Sequence, residues 1–202
     1  MPRVSRQQAD LHRVAITEAS ARLFRERGLD KVSVAELMAA AGLTHGGFYG
    51  HFGSKEELAG EACRWAFERS AERWKKRIAD KSARGEARAA LTDGYLSPQS
   101  RQSPAGMCPA TSLVTDVARS SAEAPIRAAY ISGLEELLSI LAGVQDTGAA
   151  RSDREAALAD FATMVGGLIL AKATQGDPMS DEILAAARRR LKSCRPTRAA
   201  GE

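Results

Sequence analysis

Aromatic side chains are scarce in this 202-residue chain, at 5% of positions. Alanine and leucine dominate the apolar set, and β-branched runs are few. Sheets draw on β-branched and aromatic residues, so this composition favours helix. Cysteine is scarce too. Cys63, Cys108 and Cys194 are widely spaced and odd in number, with no Cys-x-x-Cys pair and no Cys/His metal-ligand spacing. That argues against a disulfide framework and suits a reducing cytoplasm. No apolar stretch reaches the roughly 18 residues of a membrane-spanning helix, so no membrane segment is expected. The longest, near 164–173, contains two glycines. The N-terminus is polar and basic with no apolar core behind it, so no signal peptide is expected. There is no phosphate-cradling glycine loop. All three histidines, His12, His45 and His51, lie in the first quarter, leaving none for an acid–base pair elsewhere. Neither enzymatic activity nor a cofactor is expected.

What is present is a basic, helical N-terminal segment. The whole chain carries a formal charge of +4, and residues 1–55 hold eight basic against five acidic side chains. A basic module suits a polyanionic partner, although a solvated helix face gives the same balance. Leu11, Ala15, Ile16, Ala19, Leu23 and Phe24 recur at helical spacing and predict a first helix with one apolar stripe. Gly28 ends it. Residues 1–4 read as a loose arm.

Ser33-Val34-Ala35-Glu36 is a capping box. It starts a second helix over 34–41 that buries Val34, Leu37 and Ala41 and breaks at Gly42. Thr44 caps a third, under two turns long, from His45 to His51. Ser54-Lys55-Glu56-Glu57 is a second capping box, starting a fourth helix that reaches about Asp80. Further helices are placed near 84–96, 109–121, 123–145, 152–175 and 179–194. Residues 97–107 read as a polar loop and 146–151 as a turn. The expected fold is all-α. A three-helix domain with a helix-turn-helix spans 1–54, a helical domain spans 55–194, and a disordered tail spans 195–202.

Three short helices with a tight glycine turn between the second and third suit a helix-turn-helix, whose last helix enters the major groove. Phe48 and Phe52 are spaced to face inward and pin the short helix. Thr44 leads it, His45 offers a base-edge donor or acceptor, and Gly46 and Gly47 leave the backbone bare for close approach. Tyr49, His51 and Lys55 are suited to phosphates.

The run Ala21-Arg22-Leu23-Phe24, Gly28, Ser33-Val34-Ala35-Glu36-Leu37 and Ala41-Gly42-Leu43-Thr44-His45-Gly46-Gly47-Phe48-Tyr49-Gly50-His51-Phe52-Gly53-Ser54-Lys55-Glu56-Glu57-Leu58 resembles the N-terminal domain of TetR/AcrR-family regulators. The resemblance spans about residues 10–60. It implies a cytoplasmic homodimer on a palindromic double-stranded operator, acting as a repressor responsive to a small effector. An activator is the alternative sign of regulation. It also implies phosphate contacts at Ser33, Thr44, Tyr49, His51 and Lys55, and base contacts at Thr44, His45 and Gly46, with Gly47 beside them.

By the same resemblance the larger domain binds the effector and dimerises. Residues 161–171 are apolar nearly all round, with Gly166 and Gly167 open to close helix approach. The expectation is that 152–175 and 179–194 pair with a second copy, with an intra-subunit core helix as the alternative. The candidate lining of an apolar effector site is Trp65, Phe67, Trp74, Tyr95, Met107, Cys108, Leu113 and Tyr130, each of which also suits ordinary core. Gly106-Met107-Cys108-Pro109 resembles a step in one TetR subgroup and marks Cys108 as a candidate electrophile or oxidant sensor. An inert packed thiol is the alternative.

Overall fold

The computed structural model describes residues 6–102 and 108–193. Among these residues all regular structure is helical. The helices are α1 (Arg6–Arg27), α2 (Val34–Ala40), a 3₁₀ turn (His45–Gly50), α3 (Lys55–Ile78), α4 (Arg84–Tyr95), α5 (Pro98–Gln102), α6 (Pro109–Ser112), α7 (Val114–Arg119), α8 (Pro125–Gly143), α9 (Ala150–Ala173) and α10 (Met179–Ser193). The expected arm at 1–4, Met107 and the tail from Arg195 lie outside the described residues.

The chain packs as two compact units, residues 1–69 with 108–133 and residues 70–107 with 134–202. In the first, α1 buries Ile16, Ala19, Leu23 and Phe24. Leu11, expected in this stripe, is 59% exposed instead. In α2 Leu37 is buried as expected and Met38 joins it, while Val34, and Ala41 just past the helix, are only half-buried. Seven residues make barely two turns, so a one-position rotation decides which apolar side chains reach the core.

The helix ends have local causes. Gly28 and Gly42 take left-handed φ of 85° and 72°, conformations that a side chain would strain. After α2 the Leu43 amide donates to the Met38 carbonyl and the Gly42 amide to that of Ala39. This Schellman pattern satisfies two orphan carbonyls and turns the chain sharply. The Leu29 amide, just past α1, donates to the Asp116 carboxylate of α7 at 3.2 Å.

Residues 97–107 were expected to be loop, yet 98–102 form α5. Pro98 suits a first helical position, and the Ser97 hydroxyl accepts from the Ser100 amide. The expected helix over 109–121 is interrupted at Leu113 into α6 and α7. Tight spacing elsewhere requires glycine. A Cβ on Gly60 would lie 2.9 Å from Pro125 Cβ, so α3 and the start of α8 touch backbone to ring.

The second unit is organised by a buried ion pair. Arg88 on α4 donates from Nε and Nη2 to Asp160 on α9 at 2.7 and 3.0 Å. It also donates to the Leu191 carbonyl of α10 at 2.8 Å, and the Gln145 amide completes the Asp160 shell at 2.9 Å. Every partner of the carboxylate is thus supplied by the fold. Truncating one side of such a pair strands the other without water. Arg88→Ala is expected to destabilise the protein by about 3–5 kcal/mol, read as a lower urea midpoint. An unchanged midpoint would contradict the buried pairing.

Candidate nucleic-acid interface

The segment 33–55 owes its shape to capping and to two phenylalanines. The Ser33 hydroxyl accepts from the Glu36 amide at 3.2 Å, and the Glu36 carboxylate accepts from the Ser33 amide at 2.8 Å. The bond from the Ser33 amide, and after it one from the Ser33 hydroxyl, hold the Glu36 carboxyl below its ordinary range. The Ser33 hydroxyl also donates to Glu36, so both of its roles are taken within the cap. The second box closes differently. Ser54 accepts from the Glu57 amide, but the Glu57 carboxylate takes the Gly53 amide at 2.8 Å.

The third helix is a 3₁₀ turn rather than an α-helix, and Thr44 caps it without a side-chain hydrogen bond. Three glycines in six residues, Gly46, Gly47 and Gly50, leave little intrinsic tendency to continue a helix. Phe48 and Phe52 supply the anchorage. They are 0% and 1% exposed, and their rings stack at 5.9 Å. The opposite side is open. Thr44, His45, Gly46, Gly47 and Tyr49 are exposed, and a Cβ at Gly46 would meet nothing within 4 Å. Tyr49 is 71% exposed and rests its ring edge on Phe48.

At the far end of the turn, His51 is half-buried. Burial, then His12 and Arg13, lower its pKa below the ordinary imidazole value. Lys55 is half-buried at the start of α3, where it lines a crevice of about 140 Å³ with Leu29, Asp30 and Ala59.

Sequence reasoning missed Arg13. Its partners lie 38–48 residues away in sequence, beyond the reach of local patterning. The guanidinium sits 4.2 Å from the centroid of the Phe52 ring. It donates to the His51 carbonyl and to Glu61, with Glu57 at 3.5 Å. One side chain thereby joins α1, the end of the 3₁₀ turn and α3.

The proposed effector-lining residues fall into separate groups. Cys108, Leu113 and Tyr130 belong to the first unit, where Tyr130 donates to the Ala110 carbonyl at 2.7 Å and packs edge-on against Phe67. Trp74 and Tyr95 belong to the second unit and form an aromatic cluster with Phe161, with ring centroids 5.8–6.1 Å apart. Trp65 joins neither group. It lines an open groove with Arg13, Val14 and Arg69.

A tri-helical unit with an anchored, glycine-rich, outward-facing third element defines the class, a helix-turn-helix domain of bacterial transcription regulators. Residues 16–62 match the family model described as "Bacterial regulatory proteins, tetR family". Over 61 residues the chain is 38% identical to the HTH-type transcriptional regulator AcrR of Shigella flexneri, a match covering 30% of this chain and 28% of that protein. It thus spans under a third of the length of this curated relative. Among solved structures, a TetR transcriptional regulator from Chloroflexus aurantiacus superposes with a TM-score of 0.77 at 24% identity, covering 95% of this chain and 98% of the other. FadR from Bacillus subtilis, solved in complex with stearoyl-CoA, superposes with a TM-score of 0.62 at 19% identity, covering 86% and 96%. These two similarities bear on the fold. Residues 16–62 thus match the tetR-family domain, and the fold is similar to that of these solved regulators.

Arg13→Lys keeps the charge but loses the planar contact with Phe52 and the forked donors. It is expected to lower stability by about 1–2 kcal/mol, from one charge-assisted hydrogen bond and one cation–π contact. Chemical denaturation checks this, and a wild-type midpoint would contradict it.

Proposed function

We propose that the protein is a ligand-responsive transcriptional regulator, a cytoplasmic repressor that binds a palindromic operator as a homodimer and is released by a small effector. The observation that carries this reading is the bare, exposed face of the 3₁₀ turn, held out from the domain by Phe48 and Phe52. With no side chain at Gly46 or Gly47, the backbone can approach the groove closely. Thr44 and His45 are left to read base edges, and Gly46 offers its backbone beside them. Phosphate contacts are assigned to Thr44, Tyr49, His51 and Lys55; Ser33 joins them only by exchanging the bond its hydroxyl donates to Glu36 for one to the phosphate.

Selection of duplexes from a random-sequence library tests the assignment. The full-length protein is expected to enrich a two-fold symmetric site. His45→Ala should broaden the enriched sequence. Lys55→Ala should weaken every duplex alike and reduce the salt slope by about one. Equal losses on the enriched and random duplexes for both variants would contradict the division of roles.

The dimer reading rests on α9 and α10. One face of α9 is buried, and Gly167 admits α10 closely, since a Cβ there would lie 3.0 Å from Ala187. The other face carries Leu158, Ala162, Val165, Ile169 and Leu170, with Leu158 and Leu170 45% and 57% exposed. Gly166 faces open space. By length and composition α9 could cross a membrane. Its Asp160, paired with Arg88, favours a core helix with a second apolar face for a partner copy. Sedimentation at micromolar concentration is expected to give a dimer, and Leu170→Glu a monomer. A monomeric wild type would contradict the interface.

An uncharged or weakly polar effector is the reading that the apolar composition of the larger domain favours; Trp74, Tyr95 and Phe161 themselves are each 5% exposed and pack on one another. A Cys108 sensor is the less favoured reading, because Cys108 is only 6% exposed. Cys63 is buried too, which pushes its own thiol up to about 12 and keeps it protonated at neutral pH. A hundredfold release from DNA requires about 2.7 kcal/mol of coupling between effector and DNA sites.

A further inference from the structure

We propose that His12 is a second phosphate ligand, working with His51 as a paired imidazole clamp whose grip on the DNA backbone takes up protons. The inference rests on the DNA-binding reading above and extends it to a residue outside the helix-turn-helix.

His12 belongs to α1, yet its ring stands edge-on to that of His51, with centroids 5.9 Å apart and planes at 76°. Both rings are half-buried, so each keeps an accessible edge. One turn earlier on the same helix, the Gln8 side-chain amide lies 2.8 Å from His12 Nε2. The pair thus carries the edge that ends at His51 onto the first turns of α1.

The charges around the pair explain why imidazoles matter here. From α1, Arg13 donates to the His51 carbonyl. From α3, Glu57 and Glu61 face that same guanidinium. Arg13 is thus committed to two carboxylates and to the face of Phe52, and it adds no free cation. A favourable charge for a phosphate at this corner has to come from protonating the two rings.

In the free protein burial, and after it the nearness of His12 and Arg13, hold the His51 imidazole below its ordinary value and favour its neutral form. A bound phosphate reverses the balance by attracting both rings. Binding therefore draws protons from solution in the range where imidazole titrates. The sign follows: affinity rises as pH falls through neutrality, by up to about tenfold per pH unit for each proton taken up.

The test uses the full-length chain and the duplex enriched from the random library. Affinity is measured by fluorescence anisotropy from pH 5.5 to 8 at fixed ionic strength. Proton uptake is measured by calorimetry in buffers of different ionisation enthalpy. His12→Phe keeps an edge-on ring without a titrating nitrogen, so a purely structural role survives it. The wild type is expected to take up protons on binding. The variant should lose about half of that uptake and bind about tenfold more weakly near pH 6, while matching the wild type near pH 8. His12→Arg should bind at the tighter level and keep only the part of the pH dependence that His51 carries. A His12→Phe protein with wild-type uptake and pH slope overturns the clamp and leaves the DNA-binding reading standing. Failure to enrich any duplex overturns both.

Discussion

Two phenylalanines hold in place an element that cannot hold itself. The 3₁₀ turn of His45–Gly50 is half glycine and lacks a side-chain cap at Thr44. Its position depends on burying Phe48 and Phe52 within the first unit. Full burial of a phenylalanine side chain stabilises by roughly 1.5–3 kcal/mol. Two such rings, at roughly 3–6 kcal/mol together, match or exceed the cost of three glycines at about 1 kcal/mol each. The arrangement separates two demands: the buried rings supply rigidity, and the bare backbone faces outward. Arg13 locks it from behind, through the Phe52 face, the His51 carbonyl and Glu61.

The same economy of direct contact recurs in the rest of the first unit. Asp116 reaches from α7 to the Leu29 amide, beside the left-handed Gly28 that ends α1. Pro125 fits against Gly60 with no room for another carbon. In the second unit the Arg88–Asp160 pair plays the organising part, with the Leu191 carbonyl and Gln145 completing its shell. Each of these links is short-range in space and long-range in sequence.

That distinction explains how far the sequence could be read. The helix starts at Ser33 and Ser54, the breaks at Gly28 and Gly42, and the inward spacing of Phe48 and Phe52 are local signals, and the structure contains all of them. The exposed Leu11, the buried Met38 and the rotation of α2 are not local. They depend on which face meets a distant helix. Arg13 and Asp116 were illegible for the same reason. The 3₁₀ form of the third helix was within reach, since the glycine content already argued against a stable α-helix. The effector-lining residues were chosen for size and apolarity alone, qualities that core residues share. Trp65, Trp74 and Tyr130 accordingly occupy three different surroundings.

The central claim is that the anchored turn and its flanks are the surface that meets DNA. Hydrogen exchange with and without the library-enriched duplex tests it most directly. Protection on binding is predicted for the amides of 44–55 and for the first turns of α1, with α9 unchanged. Protection concentrated outside that surface, with 44–55 exchanging as in the free protein, would contradict it.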